Sequence, residues 1–262
     1  MLECVVNISA GADPSQVASI GRAAGADLLD VHTDADHNRS VLTLAGEDAP
    51  RRVARAAVAE LDLTRHEGAH PRFGVVDVVP FVPLGDTTMT DAEAARDRFL
   101  LWIADELAVP GFAYGRHRTL PEVRRRAFRG LPPDAGPDRP HPTAGAVAVG
   151  ARDVLVAWNL WLVEPDLDRA KQVAARVRGP HLRALGLAVG TRVQVSMNLI
   201  APHVVGPAEA WDVVTEHVPV AGAELVGLVP AAVLDRTDPT RWSQLDLDEG
   251  RTIEARLARR ER

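Results

Sequence analysis

The chain has 262 residues, 46% of them apolar and 25% charged, with a formal net charge of −6. That composition is ordinary for a soluble protein and long enough for one large domain or two compact subdomains, while the acidic balance argues against nucleic-acid binding, which needs a basic face. No stretch approaches the roughly 18 uncharged apolar residues of a membrane span, and the single cysteine, Cys4, excludes an internal disulfide and fits a reducing cytoplasm.

Met1 leads straight into LECVVNIS with Glu3 inside it, so no secretory signal is expected. Cys4, in this apolar strand-like run, reads as a small core residue rather than a nucleophile. After the strand at 2–8 comes a helix from Pro14 to about Gly25, with Asp13 as N-cap and Pro14 at the first helical position. Strands follow at ADLLDVH and, past the polar turn TDADHN, at RSVLTLAG. A helix at 48–62 leads into the strand FGVVDVVPFVP. This order is βαββαβ, the split ferredoxin-like arrangement. An added helix at 90–107, with Thr90 as its cap, precedes a short strand, GFAYG. The Arg-rich stretches EVRRRAFRG (122–130) and RTIEARLARRER (251–262) read as solvated helices.

Residues 130–145, GLPPDAGPDRPHPTAG, are rich in proline and glycine and are either a linker or a binding loop. The same rhythm then returns. VLVAWNLWL is a strand and DLDRAKQVAARVR a helix; HLRALGLAV and RVQVSMNLI form a hairpin across Gly-Thr; AEAWDVVTEHV is a helix and ELVGLVP a strand. The fold class expected is therefore α+β, two tandem ferredoxin-like βαββαβ subdomains with a ligand crevice between them.

The segment RHEGAHPRFGVVDVVPFVP (65–83) is the most informative. Two histidines and two arginines crowd against a glycine and a proline, ahead of a run at 75–83 that is apolar apart from Asp77. A polar turn delivered by a buried strand is where rigid scaffolds carry catalytic groups. His66-Glu67-Gly68-Ala69-His70 also matches the H-E-x-x-H zinc pattern, which needs both histidines on one helical face. Gly68 costs about 1 kcal/mol inside a helix, and Pro71 pushes His70 towards an extended conformation. His66 is then a last-turn residue of the arriving helix and His70 lies in the loop, so no metal site is expected from the pattern.

Taken in order, ECVVNISAG (3–11), LLDVHTDADHNRSVLTLAG (28–46), HEGAHPRFGVVDVVPFVP, GAVAVGARDVLVAWNLWL (145–162), VQVSMNLI and ELVGLVP resemble the formiminotransferase domain family, the folate-dependent glutamate formimidoyltransferases of histidine degradation. The resemblance implies an N-terminal subdomain at 1–152, a C-terminal subdomain at 153–240 and a tail at 241–262. It implies a cytoplasmic homodimer with tetrahydrofolate as co-substrate and no metal. The reaction implied is transfer of a formimino group from N-formimino-L-glutamate to N5 of tetrahydrofolate.

The family's G-x-H-P-R-x-G motif puts its catalytic histidine on His70. An imidazole that titrates near neutral pH can take the proton from N5 and then supply one to the departing glutamate nitrogen. The family's folate loop falls on 136–145, implicating Gly136, Pro137, Arg139, His141 and Gly145. Substrate and folate tail both carry carboxylates that suit guanidinium partners; Arg39, Arg72 and Arg152 lie in motif segments, against the plain alternative of surface ion pairs. Asn7 and Asn38 either orient substrate or cap a strand end and a turn.

His32 departs from the family pattern, which in animal members has an acid there associated with the catalytic histidine. Asp34, the nearer of two acids in the turn, is the expected replacement, with Asp36 second, unless His32 itself takes the role. Three alternatives stay open: a formyltransferase using N-formyl-glutamate or a related donor, a non-catalytic folate-binding protein, and a metal site drawn from His32, Asp34, Asp36, His37, His66 and His70.

Overall fold

The computed structural model describes residues 1–68 and 72–260. The chain divides into two compact units, Met1–Asp153 and Val154–Arg262. The first unit begins with β1 (Leu2–Ile8), α1 (Pro14–Arg22), β2 (Leu28–Asp34), β3 (Arg39–Ala45), α2 (Asp48–Glu60) and β4 (Val76–Pro83). α3 (Met89–Leu107), β5 (Gly111–Tyr114), α4 (Leu120–Arg126) and β6 (Val147–Ala151) complete it. Its six-stranded sheet runs β2-β3-β1-β4-β6-β5. The first four positions are the antiparallel ferredoxin-like order, and β4, β6 and β5 extend it in parallel.

Period-2 alternation decides what each face of this sheet carries. Cys4, Val6 and Ile8 of β1 and Leu42 and Leu44 of β3 point into the main core, against Val17 and Ile20 of α1, Val53 and Ala57 of α2 and Phe99 and Ile103 of α3. Cys4 is fully buried there, as expected of a core residue. Asn7, Arg39 and Val41 therefore fall on the opposite face. α4 covers part of that face through a smaller core of Val78, Phe112, Tyr114, Val123 and Ala148.

The second unit repeats the order with β7 (Val156–Leu162), α5 (Leu167–Val177), β8 (Leu182–Val189), β9 (Arg192–Leu199), α6 (Pro207–Thr215) and β10 (Val220–Val226). Its sheet runs β10-β7-β9-β8, again ferredoxin-like. β8 and β9 form the expected hairpin, paired up to Val189↔Arg192, with Gly190 at φ 57° in the turn. The unit ends with α7 (Ala231–Asp235) and α8 (Ile253–Arg260). Leu245 and Leu247 pack into its core, and Trp158 Nε1 donates to the Leu245 carbonyl at 2.9 Å.

The α+β class and the doubled βαββαβ order are as the sequence implied, but several local readings need correction. α3 is capped by Thr88, not Thr90: Thr88 Oγ1 accepts from Asp91 N while Asp91 Oδ2 accepts from Thr88 N, a reciprocal box that starts the helix at Met89 and puts Thr90 inside its first turn. β10 starts at Val220, and the residues after Val226 leave the sheet at Gly227, where φ is 83°. β6 had no counterpart in the sequence reading, because its small residues lack the bulk that marks a strand. His66 is not in the last turn of α2, which stops at Glu60; it follows a separate short turn, Leu63–Arg65, in extended conformation.

Candidate active site

On the sheet face away from α1–α3, four side chains from four elements converge. Arg39, at the start of β3, donates from Nη1 to Asp77 Oδ2 at 2.5 Å and from Nη2 to Asn7 Oδ1 at 2.7 Å. Arg124 of α4 donates from Nη2 to the same Asp77 Oδ2 at 2.5 Å. The other carboxylate oxygen of Asp77 accepts the backbone N–H of Phe73 at 2.7 Å.

Asp77 reaches this face through a register shift. Val79 and Phe81 of β4 face the helix-side core, so strict alternation would aim Asp77 there too. Asn7 pairs with Val78, however, and the next residue, Ile8, pairs with Val76. Asp77 is the residue left without a counterpart, and the bulge turns its side chain to the opposite face. Its side chain is 0% exposed, whereas those of Arg39 and Arg124 are 16% and 24% exposed. Burial pushes the Asp77 carboxyl up, but the charges of Arg39 and Arg124 and the hydrogen bonds they donate outweigh it and hold it below the usual carboxylate range.

A second cluster surrounds the β2–β3 turn. Asn38 sits at φ 47°, a left-handed conformation that asparagine tolerates better than most residues. Its Oδ1 accepts from Gly11 N at 2.8 Å and Ala12 N at 2.9 Å, and its Nδ2 donates to the Glu67 carbonyl at 2.8 Å. His66 Nε2 donates to the Asn38 carbonyl at 2.9 Å, which puts the ring proton of neutral His66 on Nε2. Gly68 fits because it has no Cβ: one would lie 2.6 Å from the His37 carbonyl. Arg72 donates to the carbonyls of His66 at 2.7 Å and Gly68 at 3.3 Å.

Asp34 is engaged by His37, its Oδ1 accepting the backbone N–H at 2.9 Å and its Oδ2 the ring Nδ1 at 2.6 Å. Partial burial raises its carboxyl, and the His37 hydrogen bonds more than reverse this, leaving it below the usual range. His32 lies on β2 opposite Val41. Arg152 donates to the Asp153 carbonyl at 2.9 Å. His70, the expected acid/base, lies outside the described residues, as do Ala69 and Pro71.

The Pro-rich loop is tied to the segment that leads into β4. Val75 N donates to the Ala144 carbonyl at 3.0 Å, Ala146 N to Phe73 at 3.1 Å, and Leu63 N to Thr143 at 2.7 Å. His141 Nδ1 accepts from Ala144 N at 3.0 Å, so the neutral ring carries its proton on Nε2 and shapes the turn. Gly145 is buried at φ 72°, and a Cβ there would lie 2.6 Å from the Phe73 carbonyl. Gly136, at φ 88°, Pro137 and Arg139 are exposed.

In the sequence Asp77 stands out only as the polar residue of an apolar run, with no role attached, and Arg124 falls on a helix expected to be solvated. The signal was present: a carboxylate inside a buried strand needs cations. Which arginines supply them depends on the bulge and on the docking of α4, and neither leaves a local pattern. Among the described residues no cluster of three His, Cys, Asp or Glu side chains is arranged for a metal.

The model of the formiminotransferase domain, N-terminal subdomain, matches residues 1–152. Glutamate formimidoyltransferase of Streptococcus pyogenes serotype M1 is 34% identical over 270 residues, covering 89% of this chain and 90% of its own. The Thermoplasma acidophilum protein of that name is 32% identical over 296 residues, covering 98% and 97%. Formimidoyltransferase-cyclodeaminase of Sus scrofa is 31% identical over 277 residues, 89% of this chain but 51% of the pig protein, so the chain spans about half of that relative. With a family match over more than half its length and relatives aligned nearly end to end, this chain belongs to the formiminotransferase domain family.

Proposed function

We propose that the protein is a glutamate formimidoyltransferase, moving the formimino group of N-formimino-L-glutamate to N5 of tetrahydrofolate and releasing glutamate. The observation that carries this reading is the alignment with the Streptococcus pyogenes and Thermoplasma acidophilum glutamate formimidoyltransferases over 90% and 97% of their lengths. The Arg39–Asp77–Arg124 cluster supports it as a site suited to an anionic substrate.

N5 of the folate attacks the electron-poor formimino carbon and its N–H proton leaves as the tetrahedral intermediate forms. The carbon–nitrogen bond to glutamate then breaks, and that nitrogen takes up a proton. His70 performs both transfers, as base and then as acid, because imidazole exchanges protons readily near neutral pH. Asn38 and Arg72 hold the backbone carbonyls of Glu67 and His66, which precede it in the chain. Arg39 receives a substrate carboxylate with geometry that a guanidinium supplies and an ammonium does not. Loop 136–145, including Arg139, meets the folate, which enters as a substrate; no metal takes part. The working form is a cytoplasmic homodimer, as in the family.

The test is an ultraviolet assay for 5-formimino-tetrahydrofolate with N-formimino-L-glutamate as donor and N-formyl-L-glutamate alongside. Formation of the formimino product with a clear preference for the first donor is expected. Turnover of the formyl donor alone would replace this reading with the formyltransferase alternative. Folate binding without turnover of either donor would overturn it.

A further inference from the structure

We propose that Asp77 is a positioning residue of this site, holding Arg39 in the direction that receives the substrate carboxylate, with Arg124 as the second cation that fixes Asp77. The inference rests on the formimidoyltransferase reading for the identity of the substrate.

Removing a carboxylate from water costs several kcal/mol even when it is paired, and an apolar residue of similar size in a sheet interior is often as stabilising. Asp77 is fully buried within a strand otherwise made of Val, Pro and Phe. A bulge is used to turn it away from the helix-side core, where an apolar side chain would have packed without that device. What the charge supplies that an apolar side chain could not is direction.

That direction is specified at both oxygens. Oδ1 takes the Phe73 amide, at the exit of the segment that follows His70, and Oδ2 takes both guanidinium groups at 2.5 Å each. Arg39 is held on its other side by Asn7 Oδ1 at 2.7 Å. A long, rotamer-rich side chain is thereby confined by two acceptors on two different strands, which lowers the entropy lost when substrate docks. The same carboxylate ties Arg39 to the backbone at Phe73, so one residue joins the carboxylate binder to the described end of the segment that leads into β4. Arg124 approaches from α4 and its charge helps keep Asp77 ionised, which is what lets Oδ2 serve two donors.

The experiment uses the full chain with Asp77→Asn, Arg39→Met, the double variant, and Arg124→Met. Asparagine keeps the size of the side chain and removes its charge. Steady-state kinetics for each substrate are paired with calorimetric titration of L-glutamate and a thermal melt. Asp77→Asn should raise KM for N-formimino-L-glutamate about tenfold or more, as expected for loss of a charge-assisted hydrogen bond, leave KM for tetrahydrofolate within about threefold, and weaken glutamate binding in parallel. In the double variant the effects of Asp77→Asn and Arg39→Met should fall well short of additive, because one acts through the other. A purely structural role would lower the melting temperature and raise KM for both substrates alike. If Asp77→Asn does not fold, Arg124→Met must show the same selective rise in donor KM at an unchanged melting temperature. An unchanged donor KM in a folded Asp77→Asn, or in Arg124→Met where that variant stands in for it, overturns the inference, as do additive losses. Failure of the functional reading looks different: no formimino transfer by the wild type, with glutamate binding still lost in Asp77→Asn.

Discussion

Asn38 and Glu67 are 29 residues apart in sequence, yet the Asn38 amide donates to the Glu67 carbonyl at 2.8 Å and closes the β2–β3 turn onto the histidine loop. The same side chain accepts from Gly11 and Ala12, so one asparagine fastens three segments. Two substitutions separate its side chain from its backbone. Asn38→Gly keeps the left-handed conformation available and removes three neutral hydrogen bonds, each contributing about 0.5–1.5 kcal/mol. Asn38→Ala removes the same bonds and adds roughly 1 kcal/mol of strain at φ 47°. Chemical denaturation should rank wild type above Gly above Ala, and turnover should fall about tenfold in both. Equal stability of the two variants would show that the conformation carries no strain.

His70→Ala should abolish transfer while leaving tetrahydrofolate affinity within a few-fold. A general acid/base contributes about 10²- to 10⁴-fold to rate and little to ground-state binding. Single-turnover rates with a separate folate titration check both halves; wild-type turnover in the variant removes His70 from the mechanism.

The doubled βαββαβ order was legible because each strand and helix carries its own period, and Asp13-Pro14 at the start of α1 follows local capping rules with no tertiary help. The Pro-rich loop and the crowded histidine segment stood out by composition. What stayed hidden depends on residues distant in sequence. The face taken by Asp77 is set by a register shift against β1, and the partner of Arg124 lies 47 residues away on another element. Asp34 was read as a partner for a distant histidine, yet its oxygens contact His37, three residues along; a turn that closes on itself leaves little periodic trace.

Asp34 gives a pH-dependent expectation. Its folded carboxyl titrates below the unfolded value because His37 bonds its ionised form. Its contribution to stability is therefore present above the unfolded carboxylate range and is lost as pH falls through the folded one. The stability difference between wild type and Asp34→Asn should be largest at neutral pH and shrink in acid. Turnover of Asp34→Asn should fall roughly tenfold, since the turn it braces carries Asn38 and leads directly into Arg39 of β3, a loss like that of other orienting carboxylates; Asp36→Asn should matter less. A difference in stability that stays constant from neutral to acid pH would contradict this.

Chelators should leave activity untouched. A helical zinc pair would need a His66 ring nitrogen directed at the ion, but Nε2 donates to the Asn38 carbonyl at 2.9 Å and Nδ1 is buried. The backbone at His66 is extended, with φ −80° and ψ 127°, so the H-E-x-x-H spacing does not translate into one helical face from its first residue. Loss of turnover in EDTA, restored by zinc, would show that the segment rearranges around a metal.

Gly74 sits at the join between the Pro-rich loop and β4, where its bridge partner is Gly145. A Cβ on Gly74 would lie 2.1 Å from the Ala146 carbonyl oxygen and 2.7 Å from that of Ala144. Both obstacles are backbone, so no side-chain rotation relieves them, and Gly74→Ala must push the two segments apart. The bonds at risk are Val75 N to Ala144 and Ala146 N to Phe73, which hold residues 141–146 beside the strand. Gly179→Ala is the control, since nothing lies within 4 Å of its Cβ position. Gly74→Ala should lower the melting temperature by several degrees, consistent with a loss of about 2 kcal/mol or more for forced backbone displacement, and Gly179→Ala should stay close to wild type. If loop 136–145 meets the folate, Gly74→Ala should also weaken tetrahydrofolate binding more than it raises KM for N-formimino-L-glutamate. A variant that is destabilised yet binds tetrahydrofolate normally would separate the loop from the folate site and leave it a structural brace for β4.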